Sequence, residues 1–160
     1  MCIRDRNYAT HLGGGALSLR NLVTWQPHLT SVQFPSAATQ EAGGTANNPA
    51  WRMTFFIRYE RGDYSVDVQE RWRSAMGWNA DPALIYAEPA IPSTAYTNLT
   101  LSYKRNAAQY FVTVRNLFDK APAPYGQIGG ASAVPGLFGG YPNGDDTIGR
   151  YFNVGVHFRR

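Results

Sequence analysis

The sequence predicts an all-β fold. Three observations support this prediction. Apolar and polar residues alternate in six segments, and the chain carries 16 glycines and 10 prolines. The connections between the segments are alternately long and short. Alternation with a period of two is typical of a strand whose two faces meet different surroundings. Frequent glycine and proline indicate turns more than helices, and 160 residues are enough for one domain.

The first predicted strand covers residues 16–26, where Leu17 and Leu19 begin the alternation with polar residues. The N-terminal run before it has no apolar core of the kind that a signal peptide needs. Because that run resembles the leader of an incomplete reading frame, we interpret residues 1–12 as a non-native or incomplete leader and expect the natural chain to extend upstream. Residues 27–48 are rich in small and polar residues without a period, which predicts a long loop.

Residues 51–60 and 64–73 are predicted to form a hairpin in which the apolar side chains share one face. These side chains are Trp51, Met53, Phe55, Ile57 and Tyr59 in the first strand and Tyr64, Val66, Val68 and Trp72 in the second. Facing residues must lie on the same side of a sheet, so the turn has an even number of residues, most directly a type II′ turn of two residues that begins with Gly62. The resulting pairs are Tyr59–Val66, Arg58–Asp67, Ile57–Val68 and Met53–Trp72. This register also places Glu70 beside Phe55, a carboxylate on the apolar face that the sequence leaves unexplained.

A second hairpin is predicted from residues 96–104 and 109–118, and the same parity argument favours a turn at Asn106 and Ala107. Its expected pairs are Tyr103–Tyr110 and Leu101–Val112. The remaining predicted elements are long loops at residues 74–92 and 119–149 and a last strand at residues 150–159. In that last strand the apolar face carries Phe152, Val154, Val156 and Phe158.

The predicted connections are long after the first, third and fifth strands and short after the second and fourth. A soluble sandwich has no reason to lengthen every second loop, whereas outer-membrane barrels have short periplasmic turns and long extracellular loops. A strand of about ten residues tilted by roughly 40° spans about 25 Å, the height of the apolar band of such a barrel. Aromatic residues at the strand ends fit its interfacial girdles: Trp51, Tyr59, Tyr64, Trp72, Tyr103 and Tyr110. The sequence therefore predicts six antiparallel, meandering strands in an open, curled segment of a transmembrane β-barrel.

Two stretches resemble TonB-dependent outer-membrane receptors. Asn116–Lys120 reads Asn-Leu-Phe-Asp-Lys, which is similar to the motif that closes the penultimate strand in that family, and Gly149–Val156 resembles the family's C-terminal strand. The family usually ends on an aromatic residue, whereas here Arg160 stands in that place and Phe158 is the last apolar residue. The resemblance covers nearly all of residues 13–160.

This resemblance implies a barrel of about 22 strands with a plugged lumen, which imports siderophores or other scarce solutes across the outer membrane of a Gram-negative bacterium. Residues 13–160 would be its last six strands. The implied partners are outer-membrane lipid, the missing N-terminal strands and plug, the TonB complex acting through that plug, and the barrel assembly machinery. A segment of this kind is not expected to transport alone, because its edge strands stay unpaired.

Three sets of residues are candidates for a role in this setting. Possible ligand contacts in the loops are Tyr86, Tyr125, Phe138 and Tyr141; the predicted lumenal wall carries Arg52, Arg58, Arg71 and Arg73; and the assembly signal would comprise Phe152, Val154, Val156 and Phe158. Because buried charges need partners, we expect the arginines to pair with Asp67, Glu60 and the plug more than to bind a ligand.

Other classes of function find little support in the sequence. The net charge is +4, but the arginines are spaced along the predicted strands and do not cluster on one helix, so nucleic-acid binding is not expected. No catalytic set, cofactor motif or metal-ligand spacing appears, and Cys2 is the only cysteine, so we expect neither an enzyme nor a cofactor. Asp145 and Asp146 could contribute to a Ca²⁺ site, but two solvated loop carboxylates are favoured. No stretch reaches the roughly 18 apolar residues of a transmembrane helix.

Two alternatives stay open. A different outer-membrane barrel, such as a porin or an adhesin, would share the strand pattern but lack the Asn116–Lys120 motif. A soluble β-sandwich binding module would instead pack the apolar face, including Phe55, Val66, Val112 and Val154, against a second sheet.

Overall fold

The structure is a computed structural model that describes residues 1–32, 34–45, 48–77, 90–123, 142 and 144–158. Its regular elements in that part of the chain are all β-strands. They are β1 (Cys2–Leu12), β2 (Gly15–Trp25), β3 (Thr30–Ser31), β4 (Gln40–Glu41), β5 (Trp51–Arg61), β6 (Tyr64–Arg73), β7 (Met76–Gly77), β8 (Ala90–Ile91), β9 (Thr94–Arg105), β10 (Ala108–Arg115) and β11 (Tyr151–Phe158). Among these residues, no helix is long and apolar enough to cross a membrane.

Seven long strands form one antiparallel sheet in the order β1-β2-β5-β6-β9-β10-β11. The pairs β3–β4 and β7–β8 form two small separate ribbons within the long connections. Because the long strands follow their order in the chain, the predicted antiparallel meander is confirmed. The edge strands β1 and β11 do not pair with each other in the described part of the chain, so the sheet is open there.

The prediction of six strands is wrong by one, because the sheet begins with β1. This strand pairs with β2 along its whole length, from Cys2 opposite Trp25 to Leu12 opposite Gly15. Its register puts Arg4 and Arg6 on the same face as Tyr8 and Leu12, so no apolar stripe marks it in the sequence. The turn to β2 is made by two glycines, both at positive φ.

The two predicted hairpin registers are confirmed. Across β5 and β6 the four expected pairs form, including Tyr59 opposite Val66. The turn has two residues and begins with Gly62, as predicted. Gly62 has a φ of 57°, a backbone conformation that is unfavourable for residues with a side chain. Across β9 and β10, Tyr103 faces Tyr110, and the turn begins at Asn106 with φ 53°.

The predicted end of the fifth strand at residue 118 is wrong. Strand β10 stops at Arg115 because Asn116 takes a φ of 50° and turns the chain. Asparagine tolerates this left-handed conformation better than most residues do. Of the predicted last strand, residues 151–158 are extended, and residue 159 lies outside the described residues.

One ribbon in the first long connection is held by a carboxylate. Glu41 accepts hydrogen bonds through Oε1 from the backbone N–H groups of Leu29, at 2.7 Å, and Gly43, at 2.8 Å. His28 Nδ1 lies 3.3 Å from its other oxygen. These contacts favour the charged carboxylate, and the two backbone hydrogen bonds are the main reason why the pKa of Glu41 lies below its ordinary value.

The register joins the apolar stripes of neighbouring strands into one apolar face. Val112, for example, lies between Leu101 and Val154. This face is not covered in the described part of the chain, where Val154 is 72% exposed and Val112 41% exposed. The buried hydrophobic residues described there are few: Met76, Ile91 and Tyr96.

The two rims of the sheet differ. The three short turns, each of two residues, join β1 to β2, β5 to β6 and β9 to β10 at one rim, and the long connections leave and re-enter the sheet at the other. Tyr64 and Tyr103 stack at the short-turn rim with ring centroids 4.8 Å apart. Trp25 and Trp51 stack at the long-connection rim at 5.6 Å.

Glu70 lies beside Phe55 on the apolar face, as the register predicts. Its neighbour on β9 is Thr97, whose hydroxyl donates a hydrogen bond to Glu70 Oε2. The carboxylate that the sequence left unexplained therefore has a polar partner on the adjacent strand.

Candidate functional site

The polar face of the sheet borders a cavity of about 840 Å³. Strands β2, β5, β6, β9 and β10 supply one wall, and residues 144–148 of the third long connection lie against it. Because strand side chains alternate, the strand residues that line the cavity come mostly from polar-face positions. The charged lining residues are Arg20, Arg58, Asp67, Arg71, Arg115, Asp145 and Asp146.

The register aligns polar residues in rows across this face. In one row, Gln69 on β6 faces Asn98 on β9, and the Asn98 amide donates a 2.9 Å hydrogen bond to Gln69 Oε1. In the next row, the hydroxyls of Thr100 and Thr113 are 2.9 Å apart. Cross-strand hydrogen bonds of this kind hold the polar face in place.

Arg58 behaves as the sequence predicts. Its Nη2 donates to Glu60 Oε1 at 2.6 Å, and its Nη1 lies 3.3 Å from Asp67 Oδ1. Lys104 Nζ reaches the same Glu60 oxygen at 3.4 Å. These side chains are partly exposed, so each pair contributes about 0–1 kcal/mol to stability.

Arg73 pairs with a residue that the sequence did not assign to it. Its Nε and Nη2 donate to the two oxygens of Asp145 at 2.7 and 2.6 Å. Both side chains are buried, at 8% and 1% exposure. The expectation that Asp145 is a solvated loop carboxylate is therefore wrong. Arg73 also donates to the carbonyl oxygen of Pro92 at 2.8 Å, so it ties the second and third long connections together.

Asp146 closes a turn beside this ion pair. Its Oδ1 accepts from the backbone N–H of Ile148 at 3.0 Å and of Gly149 at 3.3 Å. Within the residues that the structure describes, no group of three or more His, Cys, Asp or Glu side chains is arranged to hold a metal ion.

Arg71 and Arg115 contact aromatic rings. The Arg71 guanidinium lies 5.9 Å from the centre of the Tyr96 ring, and the Arg115 guanidinium lies 5.5 Å from that of Tyr151. Such cation–π contacts stabilise a positive charge without neutralising it. Of the four predicted lumenal arginines, Arg58 and Arg71 line the large cavity, and a smaller cavity of about 210 Å³ is lined by Arg52, Arg71 and Arg73.

The Asn116–Lys120 motif forms a closed turn after β10. The buried Asn116 side chain accepts a 2.8 Å hydrogen bond from the Lys120 N–H and donates to the Lys120 carbonyl at 3.0 Å. Asn98 Oδ1 accepts from the Asn116 N–H at 3.0 Å. At the end of the turn, Asp119 Oδ1 accepts from the backbone N–H of Arg150 at 2.9 Å, directly before β11.

The residues predicted as an assembly signal lie on the apolar side of edge strand β11. They are exposed by 45 to 72%: Phe152, Val154, Val156 and Phe158. The predicted loop contacts lie outside the described residues: Tyr86, Tyr125, Phe138 and Tyr141. Sequence reasoning did not single out Tyr96 or Arg115 as site residues, although the alternation of β9 and β10 places both on the polar face, and it did not find the Arg73 partner of Asp145.

Comparison with known proteins does not assign a family or a function to this site. The chain matches no protein-family model, no curated protein and no solved structure.

Proposed function

We propose that this chain is the C-terminal barrel segment of a TonB-dependent outer-membrane transporter that imports siderophores or other scarce solutes. The observation that carries the proposal is the exposed apolar face, on which Phe152 is 68% and Val154 72% exposed. Burying a side chain of this kind is worth roughly 1.5–3 kcal/mol. Lipid hydrocarbon would supply that burial on the lipid-facing side of a barrel.

The segregation of connections supports the same proposal. Two-residue turns lie at one rim, and the connections that contain the β3–β4 and β7–β8 ribbons lie at the other. Outer-membrane barrels have short turns on the periplasmic side and long loops outside. Stacked tyrosines at one rim and stacked tryptophans at the other match the aromatic girdles of such barrels.

The polar face then borders the lumen. Arg58 and the row of paired amides and hydroxyls would face water or a plug, and the edge strands β1 and β11 would pair with further barrel strands. Seven strands are fewer than the roughly eight of the smallest closed membrane barrels, so the segment is not expected to transport alone.

The alternatives receive less support. A porin or adhesin barrel would use the same faces and rims, and only the resemblance of Asn116–Lys120 favours the transporter. A soluble sandwich would require a second sheet across the apolar face, and in the part of the chain that is described the other strands form only two-residue ribbons.

Detergent dependence tests the membrane location. We expect the purified chain to aggregate in plain buffer and to be monomeric, with cooperative unfolding, in detergent micelles. A monomer that unfolds cooperatively in plain buffer would refute the proposal. The coding sequence upstream tests the family: a plug domain and a TonB box support it, whereas an uninterrupted run of barrel strands would indicate a porin or adhesin.

A further inference from the structure

The short-turn rim of the apolar face carries two exposed arginines, Arg61 at the end of β5 and Arg105 at the end of β9. The register places them opposite Tyr64 and Ala108, on the apolar face. Neither arginine forms an ion pair in the described part of the chain, and neither does Asp63, the exposed acidic residue of the turn after β5. Two arginines against one aspartate leave this edge of the apolar face with a net positive charge.

Three tyrosines continue the row that Arg61 begins. The register aligns Arg61, Tyr64, Tyr103 and Tyr110 across β5, β6, β9 and β10. The Tyr64 and Tyr103 rings are the stacked pair of this rim, and Tyr64 is 65% exposed. A strand spacing of about 4.8 Å and a rise of about 3.3 Å per residue put the Cα atoms of Arg61 and Arg105 roughly 12 Å apart. The two long side chains can therefore reach one group that lies over the stacked rings.

The chemistry of this cluster selects the group that it binds. The next step rests on the proposed function, in which the short-turn rim lies at a boundary between hydrocarbon and lipid headgroups. Tyrosine at such a boundary keeps its ring in the apolar region and its hydroxyl among the headgroups, and arginine extends its guanidinium toward the same region. A guanidinium binds phosphate through paired N–H donors, and tyrosine hydroxyls can donate further hydrogen bonds. The net positive charge favours a headgroup that is anionic over one that is zwitterionic.

We propose that Arg61 and Arg105, together with the hydroxyls of Tyr64 and Tyr103, bind the phosphate headgroup of an anionic phospholipid in the membrane leaflet at the short-turn rim. The acyl chains of this lipid lie along the apolar face, where Leu101 is 48% exposed. The site is therefore a lipid-binding site on the outside of the barrel wall, on the opposite face of the sheet from the large cavity.

The test folds the full chain into vesicles of phosphatidylcholine alone and into vesicles that also contain phosphatidylglycerol, at constant ionic strength. Urea unfolding in each gives the ratio of folded to unfolded chain, and the quantity compared is the factor by which phosphatidylglycerol raises this ratio. We expect Arg61→Gln and Arg105→Gln each to reduce that factor about 5-fold, which corresponds to about 1 kcal/mol for one basic residue at an anionic membrane surface.

Lys104→Gln is the matched control. Lys104 directly precedes Arg105 and has the same charge, but it lies on the polar face, where its Nζ is 3.4 Å from Glu60 Oε1. This substitution removes the same charge from the unfolded chain, so a general attraction to anionic vesicles cancels in the comparison, and the factor should stay unchanged. An equal reduction in Lys104→Gln, or no effect of phosphatidylglycerol on the unsubstituted chain, would overturn the headgroup site and leave the membrane location intact. A chain that inserts into neither kind of vesicle would refute the proposed function and this inference with it.

Discussion

Placing an arginine on each face of one strand tests which face meets hydrocarbon. Val112 lies near the middle of β10, between Leu101 and Val154 on the apolar face. Its sequence neighbour Thr113 lies on the polar face opposite Thr100 and lines the large cavity. The substitutions Val112→Arg and Thr113→Arg therefore differ in little except the side of the sheet that receives the charge.

The expected costs follow from the surroundings. An arginine on the lipid face of a barrel costs about 2–4 kcal/mol at the midplane and about 0–1 kcal/mol near an interface. Thr113→Arg gives up the hydrogen bond between Thr113 and Thr100, worth about 1 kcal/mol, but its charge enters a wide polar cavity. Val112→Arg should therefore lower the free energy of unfolding by about 1–3 kcal/mol more than Thr113→Arg does.

Equilibrium urea unfolding of the chain in lipid vesicles measures this difference. Ala108→Arg is the depth control, because Ala108 lies on the same face at the short-turn end of β10, where the cost should fall to about 0–1 kcal/mol. If Val112→Arg costs no more than Thr113→Arg, or if Ala108→Arg costs as much as Val112→Arg, the apolar face does not lie in hydrocarbon.

Three further predictions follow from individual contacts. Asp145→Ala should destabilise the fold by about 3–5 kcal/mol in urea unfolding, because it leaves the buried Arg73 without its counter-ion; a loss below about 1 kcal/mol would mean that the pair is solvated. The lowered pKa of Glu41 means that its contribution to the β3–β4 ribbon is complete above the ordinary carboxyl pKa and is lost as the pH falls through the lowered value. The protection factors of the two amides that Glu41 holds, which correct for the intrinsic pH dependence of amide exchange, should therefore fall in acid, and Glu41→Gln should remove that fall; identical protection profiles for both proteins would contradict this. Gly155→Ala would bring a Cβ to within 2.5 Å of the Phe111 ring and should cost about 1–3 kcal/mol; the double variant with Phe111→Ala should cost less than the sum of its parts, and strict additivity would exclude the clash.

The sequence predicted the sheet well wherever a local rule applied. Alternation assigned residues to faces, and parity then left only an even turn between neighbouring strands, which placed Tyr59 opposite Val66 and Tyr103 opposite Tyr110. These registers depend on a few adjacent residues. For that reason they could be worked out without any tertiary information.

The features that the sequence could not predict involve a strand with apolar and charged residues on the same face, or residues that are far apart in the sequence. Strand β1 carries arginines on the face where an apolar stripe would be expected, so no alternation marks it. Arg73 and Asp145 are 72 residues apart, and no local signal joins them. The end of β10 was missed because Leu117 and Phe118 continue the apolar character, while the left-handed conformation of Asn116 ends the strand.

Hydrogen bonds and an ion pair connect the turn after β10 to the residue directly before β11. Asn116 closes the turn onto Lys120, and Asp119 holds Arg150 through the backbone and lies 3.6 Å from its guanidinium. The register between the last two strands is thus secured by residues at the two ends of the segment that joins them. Evolution or an engineer could therefore exchange the middle of that segment for one of different length and chemistry without having to redesign the sheet.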